Sequence, residues 1–398
     1  MGLQNWQLAA SSKENMNICN IYIFCWCVFN VTFATRNMIS RPLFVVIFII
    51  TVYYVFRAYR DYKLPRYFHG LTALLILFTI YGIALILSGE LHFIEDANNK
   101  FVGNEVYLIS VYKSLLPIYP FFVFSHRGTI TEKGFRRWLV VFIIATVITF
   151  YQTYQIMLMQ STTDRTEFVN NQGYVFLSLL PLTFFVQDKR WRYLLLAVIL
   201  FFTLIAMKRG AIITGALVMG WILWRTVSDS KRSQRFVVLV GAFALLLAGY
   251  LIVNYIYGTS DFFHTRLEST LAGNSSERDV IFADMWNYYF HRATQMQQLI
   301  GSGANATLDV SFNYAHNDWL EILINQGLLG IMIYMFYWLC FYKQWRRMPR
   351  HTTEYAVFGA ILIIYFLRTF FSMSYADMSS YATLALGYCL GKETLRTQ

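Results

Sequence analysis

Residues that could perform acid–base and anion chemistry interrupt an otherwise apolar chain at a few places. His316 directly precedes a long apolar run, and Arg278 lies upstream in the same polar segment. Lys208 and Arg209 stand together between two further apolar stretches. Imidazole can accept a proton near neutral pH, and guanidinium groups bind phosphate oxygens through paired hydrogen bonds. Such a set suits a reaction whose leaving group is a phosphate or diphosphate.

The elements that position these residues are predicted from composition. The chain is 57% hydrophobic and 14% charged, and apolar stretches near the length of a membrane-spanning helix recur along it. A helix needs about 20 residues to cross the hydrocarbon core, and a spanning backbone must satisfy its own hydrogen bonds. We therefore predict an all-α polytopic membrane protein with about twelve spans, at 18–34, 42–56, 70–88, 107–124, 138–159, 172–186, 193–207, 211–226, 236–257, 318–342, 355–371 and 378–391.

The distribution of lysine and arginine predicts the orientation. If both termini are cytoplasmic, inward segments hold 22 Lys and Arg residues and outward segments hold nine. Positive residues accumulate in cytoplasmic loops, so this orientation is favoured. The net charge of +11 is explained by these loops, and we do not predict nucleic-acid binding. The five cysteines lack metal-ligand spacing and are assigned to packing.

One connection is much longer than the others. Residues 258–317 are polar and form a predicted outward loop between spans nine and ten. Helical spacing of apolar residues after Ser275 and Ser276 predicts an amphipathic helix that lies on the outer membrane face or caps a cavity; these residues are Val280, Ile281, Met285, Tyr288 and Tyr289. No repeat or separate soluble domain is visible, so residues 1–398 are read as one membrane domain.

The segment from Tyr193 to Val227 is too long for one crossing and short for two. Two helices turning at "KRG" would place Lys208 and Arg209 at the edge of the hydrocarbon, where a charge needs a partner. In the alternative arrangement, Gly210 makes the turn and both cations reach lipid headgroups.

His316 has both a functional and a structural interpretation. Asp318 and Glu321 have the spacing of a capping box, which predicts a helix start directly after the histidine. The helix dipole favours a neutral ring, whereas the two carboxylates favour a proton, so the sequence leaves its protonation open. A histidine at a membrane boundary is more often an interfacial polar residue than a base, and the two acids are more often caps than catalysts.

Taken together, the motifs resemble the signature region of the bacterial O-antigen ligase and polymerase superfamily. The "KRG" turn places Arg209 and Gly210 on the Arg-Gly motif of that family. The remaining matching positions, in order, are Arg278, Trp286, Gly301, Gly303, His316, Asn317, Leu320, Gly327 and Gly330. One departure is "NQ" (Asn325 and Gln326), which stands where the family commonly has an acidic residue.

The resemblance implies a glycosyltransferase of the C-type membrane architecture that needs no metal or other cofactor. It would act at the periplasmic face of the bacterial inner membrane on a glycan linked to undecaprenyl diphosphate. Arg209 and Arg278 would hold the diphosphate while His316 deprotonates an acceptor hydroxyl during inverting displacement. The acceptor would be lipid A–core for a ligase, or another lipid-linked oligosaccharide for a polymerase, and the sequence leaves both open. Predicted substrate contacts are Lys208, Asn317, Arg368, Lys113 and Asn171.

A twelve-helix transporter or flippase of lipid-linked sugars is the principal alternative. That class predicts matching broken helices in two sequence halves and ionisable residues near the bilayer midplane. The sequence shows no such symmetry, and most candidate polar groups lie toward the predicted outer face.

Overall fold

The computed structural model describes residues 2–35, 37–94, 100–160, 169–261, 263–265, 268, 277–370, 372–373 and 380–397, and it is 82% helical. The helices with bounds inside these ranges are α1 (Gly2–Ala34), α2 (Ser40–Asp61), α3 (Arg66–Ser88), α4 (Asn104–Leu115), α5 (Ile118–His126), α6 (Glu132–Gln160), α7 (Gln172–Leu179), α8 (Lys189–Ile205), α9 (Arg209–Ser228), α10 (Arg235–Thr259), α11 (Arg278–Asn287), α12 (Gln295–Ile300), α13 (Thr307–Val310), α14 (Asp318–Arg347), α15 (Thr353–Arg368) and α16 (Ser380–Thr397). A small antiparallel hairpin pairs β1 (His92–Ile94) with β2 (Lys100–Val102).

Eight segments of the described chain are long and apolar enough to cross a membrane: Met16–Ala34, Ser40–Asp61, Arg66–Ser88, Asn104–His126, Glu132–Met159, Arg209–Ser228, Val238–Thr259 and Asp318–Arg347. Helices also occupy the other four predicted positions, but they are shorter or more charged: Gln172–Phe185, Lys189–Ile205, Thr353–Arg368 and Ser380–Thr397. The fold is therefore all-α with several helices able to span a membrane. The count of twelve spans stays a prediction.

Small residues allow the central helices to pack closely. α3 crosses α14 at Gly70, where an added Cβ would lie 2.8 Å from the Cα of Tyr337. The hydroxyls of Tyr67 and Tyr337 meet at 3.1 Å in the same buried contact. α16 packs on α5 at Gly387, where a Cβ would approach the Cβ of Phe121 to 2.6 Å. Van der Waals packing at small residues is the usual source of helix association in membranes, since lipid is as apolar as the helix faces.

The chain turns between α8 and α9, as the length of this segment predicts. Helix α8 ends at Ile205 and α9 begins at Arg209, so the connection includes Lys208, whereas Arg209 and Gly210 of the predicted "KRG" turn lie in α9. Met207 adopts a left-handed backbone with φ of 51°. Gly210 lies in the first turn of α9, so the alternative in which Gly210 makes the turn is wrong. The turn is made by Met207 because α8 continues through Ile205 and α9 already includes Arg209 and Gly210.

The polar segment before α14 folds onto that helix. Helix α11 follows residues outside the described ranges, among them the predicted start at Ser275 and Ser276, and continues as a π turn over Tyr288–Arg292. On its inner face, Ile281, Met285 and Tyr289 are buried in a small apolar cluster, together with Ala306, Ala315, Leu320, Leu323 and Ile324. The predicted apolar face is therefore packed against α14 and the segment that precedes it.

Candidate functional site

A cavity of about 290 Å³ opens beside His316. Four predicted site residues, contributed by different parts of the chain, line it: Lys113, Asn171, Lys208 and His316. Lys113 comes from α4, Asn171 directly precedes α7, and Lys208 directly precedes α9. The fold therefore gathers cations and a histidine that are far apart in sequence around one space.

A second cavity of about 190 Å³ adjoins the first and contains the buried Arg368. The two cavities share Lys113, Asn171 and Tyr174 as lining residues. The guanidinium carbon of Arg368 lies 4.3 Å from the centre of the Tyr174 ring, and the Nζ atom of Lys208 lies 5.8 Å from it. An aromatic face attracts cations at such distances. The Tyr174 ring thus helps to hold Arg368 and Lys208 beside the lining that the two cavities share.

Sequence reasoning missed Tyr174. The residue follows "FVNNQG" at the start of α7, and a tyrosine in an apolar run gives no signal of contact with distant cations. Close packing brings it there: an added Cβ on Gly173 would lie 3.0 Å from the Cβ of Ala206 and 3.4 Å from that of Lys208. The neighbouring Asn170 also ties α7 to the turn, since its backbone N–H donates to the carbonyl of Ala206 at 2.9 Å.

The environment of His316 keeps its imidazole neutral. Burial, followed by the positive charges of Arg278 and Lys208, lowers its pKa from 6.5 to about 4. The ring makes no hydrogen bond to any residue that the structure describes. At neutral pH the imidazole that lines the cavity is therefore uncharged and keeps one unprotonated ring nitrogen.

Arg278 lies close enough to His316 to affect its pKa, and Arg209 lies close to Arg278, but neither arginine lines either cavity. Burial lowers the pKa of Arg278, the nearby charge of Arg209 lowers it too, and Tyr174 acts in the opposite direction. The two guanidinium groups are therefore close enough to repel each other. Arg209 is also the first residue of the 20-residue helix α9, where free backbone N–H groups and the helix dipole favour an anion. A bound anion would relieve the repulsion between the arginines.

Helix α14 begins differently from the predicted capping box. Asn317 is the N-cap, because its Oδ1 accepts hydrogen bonds from the backbone N–H groups of Trp319 at 2.9 Å and Leu320 at 3.2 Å. Asp318 is the first helical residue, and its Oδ2 accepts from the hydroxyl of Tyr334 at 2.6 Å. The capping-box prediction is wrong because Asp318 turns into the helix packing. Contact of Asn317 with substrate stays a prediction.

The start of α14 is joined to the end of α15, where Arg368 lies. The backbone N–H of Asp318 donates to the carbonyl of Thr369 at 2.8 Å. The indole Nε1 of Trp319 donates to the hydroxyl oxygen of the same threonine at 2.9 Å. His316 and Arg368 are therefore held at neighbouring helix ends by contacts that do not use the site side chains.

Glu321 organises the segment that precedes His316. One carboxylate oxygen accepts from the backbone N–H of Ala315 at 2.6 Å, and the other accepts from the hydroxyl of Thr307 at 2.8 Å. One turn further along, the Oδ1 of Asn325 accepts from the backbone N–H of Thr307 at 3.1 Å. The amide of Asn325, the first residue of the "NQ" pair, therefore has a structural role here. These two residues fasten both ends of the 307–315 segment to α14.

The motif glycines interlock two parts of the chain. Gly327 interrupts α14 with φ of 65° and ψ of −162°. An added Cβ there would lie 2.5 Å from the backbone nitrogen of Gly301, and a Cβ on Gly301 would lie 2.3 Å from the carbonyl oxygen of Asn325. The break frees carbonyls that accept from the backbone N–H groups of Ser302 at 2.9 Å and Gly303 at 3.1 Å. Both glycines are therefore needed because the two backbone segments approach each other closely at these positions.

Strained backbone is concentrated at this site. Among the residues that the structure describes, the non-glycine positions with positive φ are Met207, Glu277, Asn305 and His316. Asn305 and His316 line the cavity. Met207 directly precedes Lys208, and Glu277 directly precedes Arg278. Left-handed backbone costs free energy in residues other than glycine, and such residues cluster at functional sites. The strain supports a site built for ligand contact.

The described residues include no group of three or more His, Cys, Asp or Glu side chains that could hold a metal ion. No family model matches the chain, and no curated protein matches it. The resemblance to the O-antigen ligase and polymerase superfamily remains an expectation that rests on the motif residues.

Proposed function

We propose that this protein is a membrane glycosyltransferase of the O-antigen ligase and polymerase type. The observation that carries the proposal is one cavity where a neutral histidine, His316, lies beside two lysines, Lys113 and Lys208. A neutral base and fixed positive charge are the two requirements for moving a glycan from a diphosphate to a hydroxyl. Polar groups along a transport pathway do not require such a pairing.

In the proposed reaction, the acceptor oxygen attacks the anomeric carbon of the donor glycan. A ring nitrogen of His316 takes the proton from the acceptor hydroxyl as the new carbon–oxygen bond forms. The bond from the anomeric carbon to the diphosphate breaks, and its electron pair leaves with undecaprenyl diphosphate. Arg278 and Arg209 neutralise the charge that develops on the diphosphate, with Lys208 beside them. Attack from the opposite face inverts the anomeric configuration.

The cations proposed to bind the diphosphate also control the basicity of His316. In the free protein Arg278 and Lys208 lower the pKa of His316. An anionic diphosphate bound to these cations would offset their charge, so the pKa of His316 would rise toward neutrality. A stronger base would then be present only when donor is bound. Arg368 and Lys113 would extend the positive surface along the adjoining cavity.

The proposed setting is the bacterial inner membrane, with both termini cytoplasmic and the site facing the periplasm. The lysine and arginine bias of the connecting segments supports this orientation. The donor would be an undecaprenyl-diphosphate-linked glycan that reaches the cavity from the surrounding membrane lipids. The acceptor would be lipid A–core or a second lipid-linked oligosaccharide.

Reconstitution of the full chain with donor and both acceptors tests the proposal. We expect transfer to one acceptor with release of undecaprenyl diphosphate, and the acceptor used separates a ligase from a polymerase. Activity that is lost with a chelator and restored by a divalent cation would contradict the metal-independent mechanism. Movement of intact donor across the membrane without glycan transfer would favour the flippase alternative.

Two pairs of variants test the assigned roles. His316→Asn removes the base while keeping a residue that tolerates positive φ, and His291→Asn changes an exposed histidine as its control. Arg278→Lys removes paired phosphate contacts, and Arg292→Lys is its exposed control. We expect transfer to fall at least about a hundredfold in the first member of each pair. Near-normal transfer by His316→Asn would refute the base assignment.

A further inference from the structure

Asn305 is a buried polar residue that the sequence motifs do not include. Its side chain is 3% exposed, and it lines the same cavity as His316. Its Nδ2 atom donates no hydrogen bond within the part of the chain that the structure describes. A buried amide N–H without an acceptor destabilises a fold, and native proteins rarely leave one unpaired. The group is therefore a candidate donor to a molecule bound in the cavity.

The backbone holds Asn305 firmly in this position. Its φ of 66° is left-handed, a conformation that asparagine tolerates better than most residues. Its carbonyl accepts from the backbone N–H of Leu308 at 2.9 Å. Two residues further on, Thr307 is bonded through its hydroxyl to Glu321 at 2.8 Å and through its N–H to Asn325 at 3.1 Å. The side chain is thus presented by a segment that α14 fixes on both sides.

The chemistry of the cavity indicates which ligand the amide meets. Lys113 and Lys208 supply charged donors, which match phosphate oxygens. Asn305 supplies a neutral donor, and the other uncharged polar groups that line the cavity are Tyr107, Ser110, Asn171, Tyr174, Tyr314 and Ser372. Neutral amides and hydroxyls bind the hydroxyl and ring oxygens of carbohydrates. The cavity therefore combines charged hydrogen-bond donors, which suit the leaving diphosphate, with neutral polar groups, which suit a hydroxylated acceptor.

We propose that Asn305 donates a hydrogen bond to an oxygen of the acceptor carbohydrate and so positions the hydroxyl that His316 deprotonates. This inference rests on the proposed function and extends it to the recognition of the acceptor. Asn305 acts here as a binding residue, and the proton transfer itself belongs to His316.

Acceptor binding by the full chain in lipid nanodiscs tests this role separately from transfer. The probes are fluorescently labelled lipid A–core and a labelled lipid-linked repeat unit. Asn305→Asp keeps the side-chain shape and removes the N–H donor, and Asn305→Gly removes the side chain while permitting positive φ. The matched control is Asn313→Asp in the same segment, whose Oδ1 accepts from the backbone N–H of Tyr314 at 2.8 Å and remains an acceptor after the change.

We expect both Asn305 variants to bind the preferred acceptor about tenfold more weakly, as the loss of one well-placed donor implies. In Asn305→Gly, which adds no charge, donor binding should be unchanged and the melting temperature should not fall, and Asn313→Asp should match the wild type. Equal acceptor affinity in wild type and both variants would overturn the assignment, as would failure of wild type to bind either acceptor. Weakened binding in the variants without transfer by wild type would uphold Asn305 and refute the proposed function.

Discussion

The neutral state of His316 predicts a specific dependence of stability on pH. The pKa of its imidazole is about 4 in the folded protein, against 6.5 for an unperturbed side chain. Between these values the unfolded chain binds more protons at this residue than the folded chain does. Unfolding free energy must therefore fall as the pH drops from 6.5 toward 4, and the full contribution is present above pH 6.5.

The size of this effect follows from the pKa values of His316 in the folded and the unfolded chain. Each tenfold difference in affinity corresponds to about 1.4 kcal/mol, so His316 contributes about 3 kcal/mol to the pH dependence across the whole window. His316→Asn removes the titrating group and keeps a residue suited to the left-handed backbone. The difference in unfolding free energy between wild type and this variant should change by that amount between pH 7 and pH 4.

Denaturation of both proteins in detergent, followed by tryptophan fluorescence at several pH values, measures this difference. Other titrating groups cancel because both proteins carry them. Lys208→Met removes one of the cations that lower the pKa of His316. Acidification should therefore lower the unfolding free energy of this variant by less than that of wild type. If the unfolding free energies of wild type and His316→Asn changed equally from pH 7 to pH 4, the argument that the site keeps this ring neutral would be refuted.

Two further variants test the frame around the site. Gly327→Ala should lower the unfolding free energy by at least about 2 kcal/mol, because a Cβ with φ of 65° would lie 2.5 Å from the nitrogen of Gly301. Gly220→Ala is its control, since no atom lies within 4 Å of the added Cβ. An unchanged melting temperature in both variants would contradict the close backbone contact between Gly327 and Gly301. Asn317→Ala should cost about 1 kcal/mol through loss of the N-cap. A large loss of transfer at unchanged melting temperature would instead support substrate contact by Asn317.

The sequence predicts where helices form more reliably than where they turn. Apolar length is a local property, so a helix lies at every position where a span is predicted. The turn before Lys208 depends on how α7 packs against the ends of α8 and α9, which is a tertiary property. A methionine gives no local signal for left-handed backbone, so the sequence indicates a turn at "KRG" or at Gly210 rather than at Met207.

The charged residues of the site are predictable because charge is conspicuous in an apolar chain. His316, Lys208 and Arg368 stand out in the sequence, and the fold brings them to two adjoining cavities. Tyr174 and Asn305 could not be found in this way. Tyrosine and asparagine are common in membrane helices and polar loops, and their importance comes from neighbours that only the folded chain supplies.

The buried polar groups of α14 link the fold to the chemistry proposed for it. His316 has no hydrogen bond within the described residues that would orient its ring, so its position depends on its backbone. That backbone is left-handed at His316 and is held on one side by Glu321, which accepts from Ala315, and on the other by the cap at Asn317. A left-handed histidine persists only when surrounding contacts determine it. The first turn of α14 would therefore hold the proposed base in place before substrate arrives, which is the arrangement that transition-state stabilisation requires.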